Sequence, residues 1–94
     1  MEKTMIKIAI HGTKYLGKYR VECECGGFWE GGAQRMGRGI WNPAMPIAEA
    51  IAHMSLVHTE ERADIVMSAE FQAWLLQYWD WATTRLVSQM GVAF

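Results

Sequence analysis

Cys23 and Cys25, two positions apart, and His53 and His58 further along hold between them the atoms of a zinc site, namely two soft sulfurs and two imidazoles. Their spacing points away from one. Tyr19 to Cys25 alternates, with Tyr19, Val21, Cys23 and Cys25 on one side and Arg20, Glu22 and Glu24 on the other, which is the period of a strand. Two cysteines on one strand face lie about 6.5–7 Å apart along it, whereas a tetrahedral zinc holds each sulfur at about 2.3 Å, and structural sites favour C-x₂-C at a turn. The sequence therefore predicts two small side chains buried as apolar groups, with no metal and no cofactor. Neither cysteine is expected at a helix N-terminus or a sharp turn, where its pKa would fall, so a Cys–His nucleophile pair is not expected either. His53 is placed beside Glu49 on the solvated side of a helix, and His11 at an exposed strand end. No phosphate-binding loop, H-E-x-x-H or local Ser/His/Asp arrangement is present, and the chain reads as a non-enzyme.

The most suggestive polar stretch is Gly31-Gly32-Ala33-Gln34-Arg35-Met36-Gly37-Arg38-Gly39-Ile40-Trp41. Its glycines expose backbone N–H groups, its arginines can fork onto phosphate or carboxylate, and Trp41 can stack on a base or a guanidinium. Its glycines do not follow the dinucleotide pattern. Arg35, Arg38 and Trp41, with Tyr15 and Arg20, are the candidate partner- or ligand-binding residues.

A second feature is the helix predicted between Ser68 and Met90. Phe71, Trp74, Leu75, Leu76, Tyr78, Trp79, Trp81, Ala82, Leu86, Val87 and Met90 sweep roughly two-thirds of its circumference, wider than the ~100° stripe that an outer helix needs. One sheet and one short helix cannot cover all of them, and leaving them wet exceeds the apolar patch a monomer usually exposes. The excess predicts a two-fold homodimer, with Trp74, Leu76, Trp79, Trp81, Leu86 and Met90 as its interface.

The elements that must position these residues follow from periodicity. Ile6, Ile8 and Ile10 alternate with Lys7 and His11, which predicts a first strand over 5–11. The second strand is 19–25, and Gly26-Gly27 suits the positive φ of a hairpin turn. A third runs over 28–36, where Gly31 and Gly32 suggest a bulge or a close backbone approach. Pro46 starts a helix carrying Ile47, Ala50, Ile51, Met54 and Val57 to about residue 58. Thr59, with Glu60 and Glu61 after it, predicts a short helix to about Met67, and Ser68 caps the aromatic helix. Residues 60–90 as one continuous helix is the alternative. A block of strands followed by a block of helices predicts an α+β fold: a three-stranded antiparallel meander, then two or three helices, the last long and aromatic-rich.

The 94 residues form one domain, 1–94, with a formal net charge of −1. A chain this short buries only a little over ~60% of its unfolded surface. Residues 1–40 carry seven basic against four acidic side chains, and residues 41–94 two against six. Neither half suits duplex DNA binding or DNA mimicry. No apolar run reaches the ~18 residues of a membrane span, and the aromatic helix lacks the Lys/Arg of a membrane-surface helix. No secretory leader is read at the start, and two cysteines only two positions apart give no disulfide scaffold. A cytoplasmic location follows as the expectation.

No stretch carries a motif that points to a known family. The reading that results is a non-catalytic small binding or inhibitor protein, a homodimer acting through protein–protein contacts. Compact cofactor-free chains of this size are frequent among phage and plasmid products that block host machinery, anti-defence proteins included, an association with size and composition alone. The first alternative is a nucleotide or single-stranded nucleic-acid binder that uses the Gly/Arg segment and Trp41, and the second is a small metal- or thiol-dependent enzyme acting through Cys23, Cys25 and a histidine.

Overall fold

The computed structural model describes residues 4–13 and 16–89. Their order is β1 (Met5–Gly12), β2 (Lys18–Cys23), β3 (Phe28–Gly32), β4 (Arg35–Gly37), β5 (Ile40–Trp41), α1 (Ala44–Val57), β6 (Arg62–Met67) and α2 (Ala69–Gln89). The α+β class is as expected. The sheet, however, is mixed and four-stranded, in the order β3-β2-β1-β6, and β4 and β5 form a separate two-stranded ribbon.

The antiparallel part follows the alternation in the sequence. β1 pairs with β2 so that Ile8 faces Cys23 and Ile10 faces Val21, and β2 pairs with β3 so that Val21 faces Trp29 and Tyr19 faces Gly31. These residues share one sheet face. A Cβ at Gly31 would lie 2.6 Å from the Tyr19 hydroxyl, so the close approach suggested by the strand glycines is made at Gly31. The third strand is shorter than expected and stops at Gly32, where the chain leaves the sheet for the β4–β5 ribbon.

The short helix expected after Thr59 is instead β6, running parallel to β1 with Ile65 beside Ile8 and Met67 beside Ile10. Arg62 N–H donates to the Thr4 carbonyl at 2.9 Å and Ser68 N–H to the Ile10 carbonyl at 2.9 Å, which extends the ladder at both ends. Local cap signals at Thr59, Glu60 and Glu61 lose to pairing with an already formed strand, where β-branched Ile65 and Val66 fit the pleated surface. Ser68 does cap α2: its hydroxyl accepts from the Phe71 N–H at 3.1 Å, with Glu70 in the first turn.

The core lies on the helix-covered face. Ile8, Ile10, Tyr19, Val21 and Cys23 pack beneath Ala50 of α1 and Phe71 and Trp74 of α2. Burying rings such as Phe71 and Trp74 contributes about 1.5–3 kcal/mol each. Trp74 sits over Gly12, where any side chain would collide with the indole, and its N–H donates to the Trp41 carbonyl, tying β5 to α2. The opposite face is charged. There Arg20 pairs with Glu22 and with Glu30 and lies over the Phe28 ring. Among the described residues no helix is long and apolar enough to cross a membrane.

Candidate metal centre

The strand that carries Cys23 ends with it. Cys23 N–H donates to the Gly27 carbonyl at 2.8 Å and Gly26 N–H to the Cys23 carbonyl at 2.9 Å, a tight turn closed through Gly26 at φ 104°, a conformation that favours glycine. Cys25 is therefore in the turn, not on the strand. This corrects the strand-face separation expected for the two cysteines, because the backbone folds the second thiol back towards the first.

α1 supplies the other half. Pro46, Ala50 and His53 form its buried stripe, at the i, i+4, i+7 spacing of one helix face. His53 is consequently buried and not on the solvated side expected for it. His58 is the first residue after α1; its N–H bonds the Met54 carbonyl at 3.1 Å, and its side chain is buried beside that of His53. Glu49, the expected solvated neighbour of His53, instead accepts a hydrogen bond from the Tyr19 hydroxyl at 3.0 Å.

Cys23, Cys25, His53 and His58 each present one ligand atom, and the four lie within 4.8 Å of one another. Cys23 Sγ is 3.4 Å from His58 Nε2, Cys25 Sγ is 3.5 Å from His53 Nε2, and the two Nε2 atoms are 3.1 Å apart. Zinc bonds of about 2.3 Å to sulfur and 2.0–2.1 Å to nitrogen give tetrahedron edges of about 3.3 Å between nitrogens and 3.5 Å between sulfur and nitrogen. The three close separations match those edges to within a few tenths of an ångström, and all four atoms lie within 4.8 Å of one another, so small rotations of the side chains would close the set on one ion.

The surroundings prepare the donors. Glu61 Oε1 lies 3.3 Å from His58 Nδ1, so the carboxylate holds the ring proton on Nδ1 and leaves the Nε2 lone pair for the centre, the outer-shell arrangement typical of metal-bound histidines. The Trp29 ring lies 4.6 Å from the His53 ring, centroid to centroid. The Cys25 thiol is lowered to about 6, first by a backbone hydrogen bond from Gly27 and then by bonds from His58, Cys23 and His53. Cys25 thus sits in the sharp turn that the sequence reading did not expect. Burial pushes the Cys23 thiol up. His58 is raised, chiefly by its hydrogen bond to Cys25, against an opposing effect of burial. Hydrogen bonds link the inward-facing atoms in pairs, and a single cation at their centre would bind all four at once.

The residues expected to bind a partner or ligand are not gathered in one place. Arg20 lies on the open sheet face with its two glutamates. Arg35 folds back on the Gly37 carbonyl at 3.2 Å. Arg38 lines a shallow cleft with Ile40, Gln77, Asp80, Trp81 and Arg85. Trp41 is half-buried against Gly17, and Tyr15 lies outside the described residues. Of the expected interface, Leu76, Trp79 and Leu86 are exposed. Trp74 is a core residue instead, and Trp81 is half-buried beside Gly37 with the Arg85 guanidinium over its ring. Met90 lies outside the described residues.

No protein-family model matches the chain, and no curated protein or solved structure matches it.

Proposed function

We propose that this protein is a zinc-binding domain whose Cys₂His₂ centre is structural. The observation that carries the reading is the convergence of two sulfurs and two Nε2 atoms within 4.8 Å of one another, three of the separations at the edge length of a zinc tetrahedron. Thiolate and imidazole in a tetrahedral set favour zinc over the hard cations that prefer oxygen. Protein side chains supply all four positions, leaving none for water or substrate, which separates a structural site from a catalytic one.

The centre would join two pieces of chain that are far apart in sequence. Cys23 and Cys25 belong to the β2–β3 turn, and His53 and His58 to the end of α1. Metal binding to such a site counts as folding free energy, because the unfolded chain has no preformed site. A domain of this length has a modest apolar core and gains from such a clamp. With the centre holding the fold, the domain would work through its surfaces, as a non-catalytic binding protein.

Zinc titration against a chromophoric chelator tests the reading. One tight equivalent is expected for the wild type, and loss of that binding for His53→Ala and Cys25→Ser alike. Equal affinity in the wild type and both variants would contradict it.

A further inference from the structure

Helix α2 carries two apolar faces, and its own subunit uses one. Phe71 and Trp74 lie in the core. Away from them run Gln72, Leu76, Trp79, Thr83 and Leu86, spaced four, three, four and three apart, the repeat of a helix that seats on another helix. Leu76 is 69% exposed, Trp79 67% and Leu86 56%. α2 packs on β1 and β5, and its Trp81 reaches the β4–β5 ribbon at Gly37; the molecule is elongated, measuring 50 × 30 × 21 Å with a radius of gyration of 15.5 Å, against about 12 Å for a compact chain of this length.

We infer that a second copy of this chain covers the Leu76–Trp79–Thr83–Leu86 stripe, with the two α2 helices antiparallel about a two-fold axis near residue 81. Area supports an occupant of this kind. A buried aromatic ring alone removes about 150–250 Å² from water, and Trp79 is joined by two leucines, with the half-buried Ala82 and Val87 bordering the stripe on either side. Contributed by both protomers, that surface approaches the roughly 1,200 Å² at which stable interfaces begin.

The stripe is also complementary to its own reversal. Antiparallel pairing about residue 81 sets Leu76 against the other copy's Leu86, and the large Trp79 against the small Thr83. Parallel in-register pairing would set Trp79 against Trp79 and Thr83 against Thr83, overfilling one level and leaving a gap at the next. The inference is independent of the metal centre, whose four ligands lie outside α2.

Sedimentation equilibrium on the purified full chain tests it, with far-UV circular dichroism confirming that each variant retains its helix content. The wild type is expected at twice the 10.7 kDa chain mass. Leu76→Lys and Leu86→Glu, each alone, are expected to weaken the dimer by roughly two orders of magnitude or more, because each sets an unpaired charge in an apolar seam. The double variant is expected to dimerise again, since the antiparallel arrangement brings each new lysine to a new glutamate. A monomeric wild type, or single variants that dimerise like the wild type, would overturn the proposed face. A double variant that stays monomeric would overturn the antiparallel arrangement.

Discussion

Cys25→Ser separates a metal ligand from an ordinary surface thiol. The Cys25 side chain is exposed, and its Sγ has His53 Nε2 at 3.5 Å. Without metal, a hydroxyl at this position keeps a hydrogen-bonding group in place of the thiol, and the exchange is expected to change stability by no more than about 1 kcal/mol. With metal the situation differs, because a hydroxyl does not replace a thiolate on zinc. Free zinc at about one hundred times its dissociation constant stabilises the native state by about 2.7 kcal/mol. A domain of this length moves about 4–8 °C in Tm per kcal/mol, so zinc is expected to raise the wild-type Tm by about 10–20 °C. The assay is thermal unfolding by circular dichroism, first in chelator and then with zinc buffered at a fixed free concentration. The two proteins should unfold within a few degrees of each other in chelator, and only the wild type should shift with zinc. An equal zinc shift in Cys25→Ser would refute the assignment of this thiol. So would a large loss of stability already present in chelator, since that is the behaviour of a hydrogen-bond network with no metal at its centre.

Two further outcomes follow from the carboxylate behind His58 and from the proton balance. Glu61→Gln keeps the shape of the side chain that faces His58 Nδ1 but removes its charge, and a 10–100-fold loss of zinc affinity is expected in a competition titration. Near neutral pH, Cys25, at about 6, is already largely thiolate, whereas Cys23, raised above 9.0, must lose its proton to bind metal. His58 is raised by its hydrogen bond to Cys25 and must give up any second ring proton on binding. Calorimetry in buffers of differing ionisation enthalpy should therefore find at least one proton released per zinc. Zinc affinity should fall as pH drops, and more steeply below about 6, where Cys25 also takes up a proton.

The sequence was legible where periodicity alone decides structure. The alternation in β1 and β2, the turn at Gly26-Gly27, the Ser68 cap and the helix through Pro46 could be read from local patterns, although that helix begins at Ala44, two residues before the expected start. β6 was not legible, because Arg62–Met67 is a strand only by pairing with β1, a contact between residues more than fifty positions apart. The metal centre was hidden by one assumption, that the alternation of β2 runs through Cys25. The pattern stops at Cys23, and the Gly-Gly pair that follows bends the chain. Two signals pointed to the centre: a C-x-C run directly followed by two glycines, and two histidines separated by four residues, which falls within the H-x₃₋₅-H spacing of zinc sites. Trp74 could not be told apart from Trp79 by hydrophobicity. What separates them is Gly12, whose missing side chain makes room for the Trp74 ring.

X-ray absorption at the zinc edge, on protein purified without chelator, addresses the centre most directly. The expected result is one zinc per chain, bound by two sulfurs at about 2.3 Å and two imidazole nitrogens at about 2.0–2.1 Å. A chain that retains no zinc, or a zinc shell made of oxygen ligands, would contradict the assignment of Cys23, Cys25, His53 and His58 as its ligands.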